Sequence, residues 1–445
     1  MNALEVLRDA AEPKLVVAII GGAVAGSEAA AACAARGAIA VVFEQGNRPY
    51  GKIEDGLPRW HVKLRDKEYK KIDKNLGRDD VIFVPSTKIG ADLPWQGLYG
   101  DVGFSAIVLA NGAWNDRGLP IEGADAYDGR GLVYQNPFVY WFNHYEDEGY
   151  DGPVYEVPDG TMIVGGGLAS IDVVKIVNLE LYARALRERG LEVDIVEMEV
   201  KGIPRILEAH GITAEELGIE GCTLYYRRSK EDMPLASADN PTPKQLQKLR
   251  AARVKIMDRV IRKYLVKFEA LSRPVETIVE GDRLVGIRFQ KTEMIDGRVK
   301  GLEGTEFDVR SPMIISSIGS IPKPIEGIPT KGELYHFKNW DTGELHELPG
   351  VFGLGNVLTG KGNIKDSRVN AIEIIEKVVA AYLGVGDEPD EVPGSTSARA
   401  EAVAEGASAG TPMTVEAMKS LAARIDKRHT EISYRDYVSW IAAHR

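Results

Sequence analysis

The stretch KLVVAIIGGAVAGSEAAAACAARGAIAVVFE, residues 14–44, decides the fold class. Residues 14–20 form an unbroken apolar run that reads as a buried strand. The alanine-rich part from Ser27 to Arg36 reads as a helix, and 39–44 as a second strand. Strand, helix and strand in that order make the parallel unit of a doubly wound sheet. Between the first strand and the helix lies GGAVAG, 21–26. Gly21 permits a tight turn and Gly26 allows the helix to pack closely on the strand. Together with Gly22, Ala23 and Ala25 they bring backbone N–H groups at the helix start to a pyrophosphate, which the helix dipole favours. Ala23 stands where the usual pattern has its middle glycine, and its methyl crowds a phosphate. Glu44 ends the second strand, 18 residues past Gly26, where a carboxylate can bond the ribose hydroxyls of an adenosine without a 2′-phosphate. A second dinucleotide motif follows downstream, so FAD is the expected ligand of this first one.

The second motif is GGGLAS, 165–170, after the strand signal TMIVG at 161–165. A helix is expected from Ser170 to about Arg189, then a strand at TLYYRR, 223–228, beyond an inserted excursion at 190–221. Gly165 and Gly167 fit the phosphate turn, and Leu168 and Ala169 open the helix. Ser170 takes the place of the third glycine, and the larger residue widens the helix–strand spacing. The strand after it ends in Arg227 and Arg228 instead of an acid. Two guanidinium groups suit a 2′-phosphate, which a carboxylate would repel. NADPH is therefore expected over NADH.

Two further stretches join these motifs. AIVLANGAW, 106–114, is an apolar strand ending in a small-residue turn at Asn111 and Gly112, where an FAD chain would pass. GVFGLGN and TGKGNIKDS, within 350–367, place Gly355, Asn356, Gly362, Asn363 and Ile364 before a helix expected from Asp366 to Leu383. N–H groups there can stabilise the negative charge of a reduced flavin. The segment 275–310 alternates apolar and polar residues around two turns and reads as antiparallel strands. Strands are also expected at 313–319 and 351–356. Residues 384–410 are acidic and rich in Gly, Ser, Ala and Pro, a linker composition. Short helices are expected at 413–429 and 433–444, the last with Ser433 as its N-cap.

The 445 residues are too many for one ordinary core. A doubly wound α/β fold follows, with one Rossmann-like domain inserted into another. The FAD domain is expected at 14–125 and 328–390, the NADPH domain at 126–327, and a helical tail at 391–445. Hydrophobic content of 44% and charged content of 27% are those of a soluble globular chain. No apolar run approaches the ~18 residues of a membrane span, and the N-terminus lacks a secretory pattern. A cytoplasmic location is the expectation. A net charge of −11 argues against nucleic acid as a general partner. Cys33 and Cys222, the two cysteines, exclude an iron–sulfur cluster and a close dithiol relay. No metal site is expected. Residues 244–267 carry nine Lys or Arg against Asp258. Lys244, Lys248, Arg250 and Arg253 are candidates for docking an acidic carrier by electrostatic steering.

The chain resembles the adrenodoxin-reductase-like ferredoxin–NADP reductases, relatives of the glutamate synthase small subunit. Residues 50–63, YGKIEDGLPRWHVK, are similar to a family stretch with a histidine near the flavin, and His61 falls at that place. RRSKEDMPLA with TPKQLQKL resembles the family's NADPH arginine pair and the helix after it. TG and KDS within 359–367 resemble the flavin-contacting loop, and YRDYVSWIAAHR at 434–445 the closing aromatic segment. Gly355 and Asn356 depart from the Gly-Trp pair typical there. The resemblance implies hydride transfer from NADPH to FAD, then single electrons to a ferredoxin-like carrier, with His61 tuning the flavin or its protonation. A monomer or homodimer is implied. An electron-input subunit of a larger oxidoreductase and a nucleotide-binding module without turnover stay open. Glutamate synthase small subunits carry an N-terminal cysteine-rich cluster domain, for which the two cysteines of this sequence are too few.

Overall fold

A computed structural model describes residues 1–238, 240–360, 363–385 and 410–444. Contacts divide it into two units. The first comprises Met1–Glu54, Val62–Asn115 and Ser320–Arg445, the second Asp55–His61 and Asp116–Gly319. The chain thus crosses at 115/116 and 319/320, ten and eight residues before the positions read from the sequence, and briefly at 54/55 and 61/62. Residues 413–444 fold with the first unit instead of forming a separate tail.

The first unit is a seven-stranded sheet in the order Phe337–Asn339, Glu344–Leu345, Val351–Gly353, Ala106–Leu109, Val16–Ile20, Ile39–Phe43, Val81–Val84. The last five strands are mutually parallel. Val16–Ile20 and Ile39–Phe43 are buried at every position. Strands covered on both faces need continuous apolar runs, not alternation. The helix Val24–Ala35 begins three residues earlier than the alanine run suggested. The helix Val62–Leu76, which the sequence reading did not single out, lies beside it. Arg368, on the helix Ile364–Glu373, donates to Glu28 at 2.8 Å and to Glu68, while Lys71 reaches Glu28 at 2.6 Å. Three helices are thereby tied by one guanidinium. Glu68 is 2% exposed; a carboxylate so buried needs that cation, since an unpaired buried charge is strongly destabilising. The helix expected at 366–383 starts at Ile364 and widens to π geometry over Ile374–Val379.

The second unit holds a five-stranded parallel sheet, ordered Leu132–Tyr134, Ile314–Ser317, Met162–Gly165, Thr223–Tyr225, Lys267–Glu269. The helix Leu168–Glu188 buries most of its length in this unit's core. The excursion at 190–221 forms short helices, Ile195–Lys201, Ile203–Ala209 and Ala214–Leu217. The alternating segment becomes an antiparallel sheet of Ser272–Glu280, Arg283–Ile295 and Arg298–Arg310. Neither unit contains, among its described residues, a helix long and apolar enough to cross a membrane.

The closing helices are Val415–Glu431 and Tyr437–Ala443. Ser433 is not the cap of the second; it sits at φ 59°, and Asp436 caps by accepting the Ser439 N–H at 2.8 Å. A carboxylate accepts that bond well, and the left-handed turn at Ser433 delays the helix until it is in place. The linker read at 384–410 lies mostly outside the described residues, as does Gly362.

Candidate nucleotide-binding sites

In the first unit Gly21 leaves the strand at φ 99°, and a side chain there would press on the Ala110 carbonyl oxygen at 2.7 Å. A methyl on Gly26 would overlap the Gly21 carbonyl oxygen. Both glycines are therefore steric requirements of the turn. Glu44 is buried, and its two carboxylate oxygens accept the Gly22 and Gly46 N–H groups at 2.8 and 2.9 Å. The acid at the strand end thus already organises the glycine turn. Ala23 is the N-cap residue in extended conformation, with no side-chain capping bond. Its methyl faces Gly51, where an added Cβ would lie 3.1 Å away. That glycine leaves room for the Ala23 methyl on the protein side of the turn. Ala25 packs against Gly355, where a Cβ would meet it at 2.7 Å.

Asn111 and Gly112 follow the strand Ala106–Leu109. Asn111 Nδ2 donates to the Tyr335 hydroxyl at 3.2 Å, while its buried Oδ1 has no hydrogen-bond partner. Asn356 Oδ1 is likewise buried without a partner. Gly355 takes φ 64° and donates its N–H to Asn370 Oδ1 at 2.7 Å. Asn363 caps the helix Ile364–Glu373 by accepting the Asp366 N–H at 2.7 Å. The N–H groups of the first turn at Ile364 have no partner within the helix itself.

In the second unit Gly167 is the N-cap of the helix Leu168–Glu188, and Leu168 is exposed. A methyl on Gly167 would meet nothing, whereas one on Gly165 would overlap Ser317 and Ser170. Ser170 is fully buried and its hydroxyl donates to the Ser317 carbonyl at 2.8 Å, so the serine fills its wider gap with a bond. Gly166 was not singled out from the sequence, yet a side chain there would collide with the ring of Tyr226. Three consecutive glycines were the available signal. Arg227 is exposed; Arg228 is half-buried, and its Nε has no partner.

His61 belongs with the second unit. Its Nε2 lies 3.6 Å from Asp172 Oδ1, and no hydrogen bond closes on it. Asp172 also faces Lys175 at 3.5 Å, and Lys175 pairs with Glu199 at 2.9 Å. Tyr264 donates to Glu199 at 2.7 Å. Burial, and then this bond, push the Tyr264 hydroxyl well above its ordinary range. Both cysteines are buried, and burial pushes the Cys33 thiol up to about 12. Neither is suited to thiolate chemistry. Among the described residues no group of three or more acidic, His or Cys side chains forms a metal site.

On the helix Pro243–Tyr264, Lys244, Lys248, Lys255, Arg259 and Arg262 are all exposed and recur at helical spacing. Arg253 does not belong to that face. It donates to the Ala236 and Glu231 carbonyls at 2.9 and 3.2 Å, holding the turn after Arg228. Arg250 lies 3.7 Å from Asp232 in the same turn.

No family model matches the sequence. The glutamate synthase [NADPH] small chain of Mycobacterium tuberculosis is 24% identical over 362 residues, 78% of this chain and 63% of that one. The mitochondrial NADPH:adrenodoxin oxidoreductase of Arabidopsis thaliana is 25% identical over 310 residues, 63% of this chain and 62% of that one. The chain is related in sequence to both. It spans less than two thirds of the length of either relative. FprA from Mycobacterium tuberculosis, solved in complex with NADPH, superposes with a TM-score of 0.64 at 18% identity, covering 94% of this chain and 91% of that one. Its His57Gln mutant gives a TM-score of 0.63 over the same shares. The relation to FprA establishes the fold, two Rossmann-like domains with the second inserted into the first.

Proposed function

We propose that the chain is an FAD-dependent oxidoreductase that takes hydride from NADPH and passes single electrons to a ferredoxin-like carrier. The observation that carries this reading is the unlike charge that follows a strand in each unit. Glu44 closes the first glycine turn with a carboxylate, and Arg228, in the bend after the second unit's strand Thr223–Tyr225, carries a buried guanidinium Nε that has no hydrogen-bond partner. The relatives are named as NADPH-dependent glutamate synthase and adrenodoxin reductases, which supports the same assignment. FAD would supply the ability to accept two electrons together and release them one at a time, which a nicotinamide does not do readily.

The residues present fit both groups. Gly21, Gly22, Ala23, Ala25 and Gly26 would hold the FAD pyrophosphate, with Glu44 at the ribose. Asn111 and Asn356 each keep a buried acceptor oxygen unused by the protein, as a site for a donor-bearing ligand requires. Gly112, Gly355, Asn363 and Ile364 would line the path to the flavin and its pyrimidine edge. Gly165, Gly167, Leu168, Ala169 and Ser170 would hold the NADPH pyrophosphate, with Arg227 and Arg228 on the 2′-phosphate. His61 is proposed to hold a proton at Nε2, kept in orientation by Asp172. Stopped-flow mixing with NADPH and with NADH, read at the flavin absorption band, tests the assignment. Fast bleaching by NADPH alone is expected; a flavin-free protein, or equal rates with both, would sink it.

The exposed cations on the helix Pro243–Tyr264 are proposed as the docking face for an acidic carrier. Arg253 and Arg250 serve the adjacent turn, so Lys244 and Lys248 are the clean probes. The double change Lys244→Glu and Lys248→Glu should lower the rate of ferredoxin reduction at low salt by about tenfold. NADPH–ferricyanide turnover should be unchanged. An equal loss in both assays would remove the docking role. A second reading, an electron-input subunit of a larger complex, is favoured by the glutamate synthase similarity; gel filtration of native extract separates it, through a stable large species.

A further inference from the structure

The closing helices grip the two loops on either side of Glu44. Met413 pairs with Lys14 across an antiparallel bridge, and Asp426 takes a forked bond from Arg8. Arg428 donates to Thr87 Oγ1 at 3.0 Å and to the Ser86 carbonyl. His429 Nε2 meets the Phe83 carbonyl at 2.9 Å. From the last helix, Trp440 donates its indole N–H to the Asn47 carbonyl at 2.6 Å. Tyr437 donates to Asp73 Oδ1 at 2.8 Å, the oxygen that also accepts the Tyr50 hydroxyl at 3.0 Å.

Those loops are themselves laced together. Ser86 N–H donates to the Gly46 carbonyl at 3.0 Å, and Ser86 Oγ to Asn47 Oδ1 at 2.6 Å. Thr87 N–H donates to the Glu44 carbonyl at 2.7 Å. Ser86 holds φ 52°, a conformation a non-glycine residue keeps only where its surroundings over-determine it. The grip of Arg428 and the contact with Asn47 supply that constraint. A continuous path of bonds thus runs from Trp440 to Asn47, through the turn to the Gly46 N–H, to the Glu44 carboxylate, and on to the Gly22 N–H.

We infer that the C-terminal helix pair is a positioning element of the first dinucleotide site, with Trp440 fixing the 44–47 turn so that Glu44 meets the ribose diol of an adenosine. The ligand half concerned is the adenosine half, not the flavin. The inference rests on the proposed FAD site for its ligand, but not for its mechanics.

The test uses the full-length chain freed of flavin, as wild type, Trp440→Phe and Tyr437→Phe. Phenylalanine keeps an aromatic ring against Tyr434 and His444 while it removes the donor and part of the indole's volume. In the ligand-free protein, amide exchange at Gly22 and Gly46 should quicken about tenfold in Trp440→Phe, beyond the change at amides of the second unit, which report any general loss of stability. FAD affinity should fall by about the same factor, while affinity for FMN, which lacks the adenosine, stays as in wild type. Tyr437→Phe, acting on Asp73, should give a smaller change of the same kind. Unchanged exchange at both amides would overturn the inference, and so would FAD and FMN affinities falling together. A wild type that binds no FAD would reject the cofactor assignment, and the exchange measurement would still decide the role of Trp440.

Discussion

Arg228→Glu is expected to lower kcat/KM for NADPH by two to three orders of magnitude and to leave NADH within a few-fold of its starting value. Arg228 lies in the bend three residues past the strand Thr223–Tyr225, which is shorter than the 223–228 read from the sequence; it is half-buried, with a buried Nε that no protein group satisfies. A 2′-phosphate carries about −2 charge and accepts from a guanidinium in a forked geometry, worth roughly 1.5–3 kcal/mol per charge-assisted contact. Reversal removes that contact and adds repulsion in a partly desolvated place. At about 1.4 kcal/mol per tenfold, the combined effect reaches the stated range. Arg227 is exposed, so Arg227→Glu should cost less. Steady-state kinetics with both coenzymes decide the matter: a parallel loss with NADH would show that Arg228 shapes the turn and does not read the phosphate.

Gly26→Ala should give a protein that is colourless on purification and destabilised by about 2–4 kcal/mol, the scale of a core overpacked without room to relax. The added methyl overlaps the carbonyl oxygen of Gly21, a turn residue held by its own N–H bond to the Phe43 carbonyl. Relief demands that the helix Val24–Ala35 move off the sheet, which separates its free N–H groups from the turn. Gly100→Ala is the control, since a methyl there meets nothing within contact distance. Thermal melting and the flavin-to-protein absorbance ratio report the two consequences separately. A yellow, fully stable Gly26→Ala protein would show that the close approach is not required.

The glycine turns, the strands before them and the acid after the first unit's second strand were legible because they are local. Each lies within about thirty residues, and its chemistry is written in residue type and spacing. What escaped the sequence was set by partners far along the chain. Trp440 finds Asn47, and Arg428 finds Ser86, across hundreds of residues, with no periodicity to announce it. Arg253 looked like one more surface cation until the carbonyls of Glu231 and Ala236 claimed it. Ser433 and Asp436 are both competent caps, and only the turn geometry chose between them. Gly166 had a visible signal, but its reason, the ring of Tyr226, lies sixty residues away.

The order in which the strands pair has a consequence for how the chain acquires its shape. Almost all of the second unit comes from one uninterrupted stretch, Asp116–Gly319, whereas the first unit's strand Ala106–Leu109 finds its neighbour only at Val351–Gly353. A ribosome adding about 5–20 residues per second therefore exposes the inner unit whole before the outer sheet can be completed. During that interval one flank of Ala106–Leu109 carries unsatisfied main-chain groups, the kind of strand edge that invites mispairing. Growing at an internal position rather than at an end thus imposes a timetable: the inner body matures first, and the outer one is the vulnerable nascent species.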